Sequence, residues 1–138
     1  MTASYASLLE GTTSTGLFSW RGDPDRDLAG EAVAAGWRAL QLDTTEVDSV
    51  PAFYDEVATS WDLPEWFGRN LDALFDVLGD LTDLPTVLVW DGLRELSDVD
   101  PMHAAAVLDV LRDAAGQAST FAVIVRDDLG VSELDGLL

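Results

Sequence analysis

Three aspartates, Asp72, Asp76 and Asp80, recur at i, i+4 and i+8 within LPEWFGRNLDALFDVLGDL, residues 63–81. At 3.6 residues per turn they share one helix face, and Leu71, Leu74, Val77, Leu78 and Leu81 form a stripe on the other. Gly79 lies on the polar face and leaves one turn of it bare, and Phe75 falls on the border between core and solvent. Trp66, Phe67 and Gly68 come just before, in the turn that feeds the helix. Such carboxylates could ligate Mg²⁺ or Ca²⁺. Their spacing spreads them over about 12 Å, so only neighbours could share an ion, and no DxDxDG loop with a terminal Glu is present. They could work as a hydrolytic acid and base, but nothing in the sequence suggests a substrate cleft. They could also bind a cationic partner. A row of aspartates is ordinarily just a solvated face. Yet Asp is a poor interior helix former, and like charges at i, i+4 repel by a few tenths of a kcal/mol per pair. A face that accepts this cost, flanked by Trp66 and Phe75 and opened by a glycine, has the make-up of a recognition surface for a cationic partner.

Other chemistry finds little support. The single histidine, His103, stands beside Pro101 and Met102 at the start of a helical run. It is expected to be a surface or helix-start residue, and no Ser–His–acid arrangement surrounds it. No GxGxxG or GxxxxGK[ST] loop occurs. The turn Arg21-Gly22-Asp23-Pro24 places a carboxylate where a phosphate would have to sit. With no cysteine, neither disulfides nor thiolate metal sites can form. No cofactor, metal or catalytic group is expected.

Seven basic residues against 26 acidic ones leave a net charge of −19. Nucleic acid and anionic membrane surfaces should be repelled, because binding them needs Lys and Arg to neutralise phosphates. A partner selected by charge is basic. Acid-richness for solubility is the competing explanation. No basic run followed by an apolar block opens the chain, and no window of 18 uninterrupted apolar residues suggests a membrane span.

The elements that must position the acidic helix follow from periodicity. A length of 138 residues with 48% apolar content fits one domain with a sizeable core. Residues 1–15 read as irregular at their start, and Gly16–Trp20 as a short strand. Asp23-Pro24 reads as a helix N-cap with proline at N1, opening a helix that closes at Gly36. Arg38–Leu42 is a second strand, so the two strands and the helix make a right-handed βαβ unit. Phe53, Tyr54, Val57, Ala58 and Trp61 give a helical stripe with Asp48 or Ser49 as its cap. Thr86–Trp90 and Thr120–Val125 are apolar runs of buried parallel strands. Between them come a helical turn at Leu93–Leu96 and a helix over Ala104–Ala115. Residues 126–138 read as a peripheral acidic tail. The order β-α-β-α-α-β-α-β predicts an α/β fold, a small, mostly parallel four-stranded sheet with helices packed on it, in a single domain over 1–138.

The run Leu63-Pro64-Glu65-Trp66-Phe67-Gly68-Arg69-Asn70-Leu71-Asp72-Ala73-Leu74-Phe75-Asp76 resembles the signature of the barstar family, small intracellular inhibitors of secreted ribonucleases such as barnase. The resemblance extends over about Ala39 to Val125, so residues 1–37 are an N-terminal βα extension. It implies a cytoplasmic, non-enzymatic inhibitor or immunity protein (an antitoxin). Free, it would be monomeric. Its partner would be a basic extracellular-type ribonuclease or toxin nuclease domain, bound 1:1, whose phosphate site the aspartates occupy in place of RNA. It also implies the roles. Asp76 falls on the family's central aspartate, and Asp72 on the one that pairs with a basic rim residue. Trp66 replaces an aromatic, usually Tyr, that packs on the nuclease's catalytic histidine. Phe75 replaces a tryptophan, and Gly79 takes a small-residue rim position. Asp113, in Val107–Ala114, falls on a glutamate that supplies a second acidic contact. Asp80 extends the acidic face as a rim charge. The departures at Trp66, Phe75, Gly79 and Asp113 leave open a different basic ribonuclease, or the toxic domain of a larger effector, as the target.

Overall fold

The structure, a computed structural model, describes residues 4–11, 15–118 and 120–126 and the backbone of 135–137. Its elements are α1 (Tyr5–Leu9), β1 (Leu17–Trp20), α2 (Leu28–Ala34), β2 (Arg38–Asp43), α3 (Val50–Ser60) and α4 (Leu71–Leu81). Then come β3 (Thr86–Asp91), α5 (Leu93–Val99), α6 (Pro101–Gln117), β4 (Phe121–Val125) and β5 (Asp135–Leu137). The strands form one sheet in the order β2-β3-β4-β1-β5, and every pair is parallel.

The central strands explain the layering. Successive side chains alternate between sheet faces, so Val87 and Val89 of β3 join Ala122 and Ile124 of β4 on one side. There they meet Leu28 and Ala32 of α2, Tyr5 and Leu8 of α1, and Phe18 and Trp20 of β1. Leu88 and Trp90 join Phe121, Val123 and Val125 on the other side, under α3, α4, α5 and α6. Each face of β3 and β4 therefore needs its own helical cover, which is why both strands read as unbroken apolar runs.

The expected α/β architecture with four parallel strands and packed helices is present, and a three-residue fifth strand lengthens the sheet edge beyond β1. Several local expectations change. Within residues 1–15, Tyr5–Leu9 form a helix capped by the Ser4 hydroxyl, which accepts the Ser7 N–H at 3.0 Å. Asp23-Pro24 does not start α2. The Trp20 indole N–H donates to the Asp23 carbonyl at 2.9 Å and holds residues 23–25 in a turn. Asp27 caps the helix instead, accepting the Gly30 N–H at 3.0 Å. β1 and β2 are not neighbours, because β4 and β3 lie between them. The turn foreseen at Leu93–Leu96 grows into α5, and α6 begins at Pro101 behind the Asp100 cap. The tail expectation falls in part on residues 127–134 and 138, outside the described residues, while Asp135–Leu137 pair with β1.

Two contacts tie the strand ends together. Thr44 Oγ1 donates to the Gly92 carbonyl at 2.6 Å and accepts the Trp90 indole N–H at 3.0 Å. Gly92 has φ +91°, and a Cβ there would lie 2.4 Å from the Thr45 nitrogen, so only glycine fits. Arg126 donates to an Asp91 carboxylate oxygen and to the carbonyls of Arg26 and Pro24, at 3.0, 3.0 and 2.9 Å. One guanidinium thereby joins β3 and β4 to the segment after β1.

Candidate functional site

α4 is built as the sequence suggests. Asn70 caps it, its side-chain oxygen accepting the Ala73 N–H at 2.8 Å while its Nδ2 donates to the Gly68 carbonyl at 3.0 Å. Leu74 and Leu78 are buried, and Leu71, Phe75, Val77 and Leu81 pack around them. At the far end the Arg38 guanidinium donates to the Leu81 carbonyl at 2.7 Å. Both ends are thus fixed, and Asp72, Asp76, Gly79 and Asp80 remain exposed.

Residues 62–70 form a loop that enters α4. Phe67 is buried, and its ring lies 6.4 Å from that of Tyr54 on α3. Arg69 pairs with Asp55, also on α3. Asp62 and Arg69, at the two ends of the loop, adopt left-handed conformations with φ 51° and 52°. Against this anchoring, Trp66 stands 82% exposed. A large apolar side chain held in solvent on a fastened loop is the kind of feature that marks an interaction surface.

Two clefts flank α4, and Asp76 lines both. One, of about 470 Å³, lies between α4 and α6 and is bordered by Leu71, Asp72, Phe75, Asp76, Val110 and Asp113. The other, of about 140 Å³, lies between α4 and the loop. It is bordered by Pro64, Trp66, Phe67, Gly68, Ala73, Asp76, Val77 and Asp80. Of the seven residues singled out from sequence, Asp72, Phe75, Asp76 and Asp113 meet in the first cleft, and Trp66, Asp76 and Asp80 in the second. Gly79 borders neither, and open space lies where its Cβ would be. Val110 was missed. Its only signal was its place three residues before Asp113 on the same helix.

This surface offers carboxylates on a rigid helix beside apolar walls. Such an arrangement can pair with cations whose stems or rings stack alongside. A third cleft, at the end of β2, is lined by Asp43, Thr45, Glu46, Val47, Ala52 and Glu56. Among the described residues, no group of three or more His, Asp or Glu side chains is arranged to hold a metal ion. Nor is any helix among them long and apolar enough to cross a membrane.

His103 stands at a helix start, one of the two positions expected for it, but its ring is not on the open surface. Its ring is half-buried, 5.3 Å from Phe53 and 5.5 Å from Tyr54, edge-on to both. Burial lowers its pKa from the ordinary value, against an opposing effect of Asp100. Burial likewise pushes the Tyr54 phenol up to about 12. Both shifts favour the uncharged form.

Comparison with known proteins finds a family, a relative and two solved structures to which the chain is similar. The family described as Barstar (barnase inhibitor) matches residues 37–126. A protein of Bacillus subtilis (strain 168) described as "Putative ribonuclease inhibitor YrdF" is 31% identical over 77 residues, which make up 56% of this chain and 85% of that protein. Among solved structures, the Aeropyrum pernix ORC2 protein superposes with a TM-score of 0.55 at 12% identity, over 97% of this chain and 44% of its own. Cdc6p from Pyrobaculum aerophilum gives 0.50 at 20% identity, over 95% and 39%. The chain spans less than half the length of these two structures, and at such identities the likeness is one of fold alone.

Proposed function

The chain belongs to the barstar family, and from that premise we propose that it inhibits a basic, guanyl-specific ribonuclease of the barnase kind by covering the enzyme's active site with α4. The observation that carries the reading is the double placement of Asp76, which borders both clefts beside the helix. A carboxylate there, with Asp72 and Asp113 on one side and Trp66 and Asp80 on the other, presents an anionic ridge with apolar flanks. A ribonuclease active site gathers Arg, Lys and His to hold RNA phosphates. Those cations pair with aspartates that the enzyme cannot cleave, so inhibition is competitive and the bound protein survives it. The relative from Bacillus subtilis, described as a ribonuclease inhibitor, supports the class of target.

In this role the chain is a non-catalytic, cytoplasmic immunity protein that binds its nuclease 1:1. The differences at Trp66, Phe75, Gly79 and Asp113 from the family pattern favour a second reading of the same surface, immunity to another basic toxin domain. The deciding experiment titrates purified protein into a basic guanyl-specific ribonuclease and follows RNA cleavage. Complete inhibition at one equivalent supports the first reading. No inhibition by excess protein excludes that target and leaves the second reading, to be examined with nuclease domains of secreted effectors.

A further inference from the structure

Behind the loop that carries Trp66 runs a line of rings that begins at the only histidine of the chain. His103 lies in the first turn of α6, its backbone N–H donating at 2.9 Å to the Asp100 carboxylate that caps the helix. Its ring is held edge-on between Phe53 and Tyr54 of α3. Its Nε2 is buried and finds no hydrogen-bond partner among the described residues. Tyr54 also touches Phe67, the buried side chain of loop 62–70 and the immediate neighbour of Trp66.

A buried ring nitrogen with two aromatic edges for company tolerates the neutral imidazole and not the imidazolium, whose second N–H would face no acceptor. The charged groups around it do not change that. α3 faces the ring with uncharged Phe53 and the Tyr54 phenol, and its Asp55 is engaged with Arg69 of the loop. Asp100, the cap of α6, accepts the His103 backbone N–H and favours the charged ring, but by less than burial disfavours it. α5, packed on α6, brings Arg94, Glu95 and Asp98, and one Glu95 oxygen is itself buried without a partner among the described residues. A proton on His103 therefore favours turning the ring outward to water. Tyr54, whose ring contacts both His103 and Phe67, then loses one of its two edge contacts.

We propose that His103 is a positioning residue for loop 62–70: through Tyr54 and Phe67 it seats the loop that presents Trp66, and it releases that loop when it takes up a proton. This rests on the reading of the loop as part of the recognition surface. Its consequence is a partner-binding surface that loosens under mild acid.

The test needs no nuclease, so its failure would leave the inhibitor reading untouched. With one histidine in the chain, its ring signals can be followed by NMR without ambiguity between pH 7.5 and 5. In wild type the His103 midpoint is expected below about 6.5, the ordinary value, with the backbone amides of Trp66 and Phe67 shifting at the same midpoint. His103→Gln, which keeps a neutral polar group and cannot be charged, should abolish the shifts of these amides over that range. Tyr54→Leu should leave His103 titrating while the loop no longer follows it. The proposal is overturned if the Trp66 and Phe67 amides titrate independently of His103, if their response survives in His103→Gln, or if His103 titrates at or above its ordinary value. Should His103→Gln fail to fold, the wild-type titration and Tyr54→Leu decide the matter.

Discussion

Replacing Asp76 by Ala should separate the proposed binding role of α4 from its structural one. In the free protein Asp76 is exposed and faces Asp72 and Asp80 one turn away on either side. Its removal relieves two like-charge pairs, each about 0.2–0.5 kcal/mol. It also replaces a poor interior helix former by the best one, for up to about 0.7 kcal/mol. The free protein should therefore gain about 1 kcal/mol, a few degrees in melting temperature at this size. In the complex the sign reverses. Asp76 borders both clefts, so under the proposed mode of inhibition its loss should leave the enzyme's phosphate-binding cations buried without their partner. That costs roughly 2–5 kcal/mol or more, about 30-fold to several thousandfold in affinity at 1.4 kcal/mol per decade. Asp80 borders one cleft only, and Asp80→Ala should cost under about 1 kcal/mol as a rim charge. The assay is inhibition of the target ribonuclease by wild type and both variants, with thermal melts of the free proteins. Equal losses for the two variants would refute the placement of the site, as would a lower melting temperature for Asp76→Ala.

Three further outcomes follow from the same structure. Association should be steered by the net charge of −19, so the on-rate should fall steeply as the Debye length shrinks to about 3 Å at 1 M salt, with the off-rate changing less; a flat on-rate in stopped flow would remove steering. A chain starting at Trp37 lacks β1 and should expose the β4 edge that β1 covers, so it should aggregate or melt lower; an unchanged melt and a monomeric elution would contradict this. Arg126→Ala deletes three hydrogen bonds from a guanidinium whose side chain is 25% exposed, and should cost about 1–3 kcal/mol by urea unfolding without altering inhibition; wild-type stability would show the clamp to be ornamental.

Periodicity made α4 legible because its leucine stripe and its aspartates separate cleanly within one element. The same held for β3 and β4, whose burial on both faces leaves no polar residue to interrupt them. What escaped depends on distant partners. Asp23-Pro24 carries a good local start signal, but the Trp20 indole captures the Asp23 carbonyl and Asp27 takes the cap. α1 has five residues, too few for an apolar period to show, and is held by Tyr5 donating its hydroxyl to the Leu28 carbonyl at 2.6 Å. No local pattern tells β1 to lie beside β4 rather than β2. His103 was legible as a helix-start residue, but the burial of its ring was not, because Phe53 and Tyr54 lie some fifty positions earlier in the chain. Within the site, the acidic face was readable from spacing. That Asp76 would border a cleft on each side of the helix was not, because one cleft needs α6 and the other needs the folded loop.

The left-handed backbones of Asp62 and Arg69 have a consequence for how tightly a partner can be held. A side-chain-bearing residue in that conformation costs on the order of 1–2 kcal/mol, and two of them, at the ends of the loop that carries Trp66, store that cost in the unbound protein. Burial of Phe67, the Asn70 cap and the pairing of Arg69 with Asp55 offset it during folding. No part of it is then charged to association. Each residue of a floppy loop would forfeit about 1–2 kcal/mol of backbone freedom on docking, whereas this one has forfeited it beforehand. The binding enthalpy and entropy should accordingly be those of two preformed bodies meeting. Asp62→Gly, which leaves the pairing of Arg69 with Asp55 in place, should relax the backbone and raise the melting temperature of the free protein, while inhibition of the ribonuclease weakens; a lower melting temperature would contradict this.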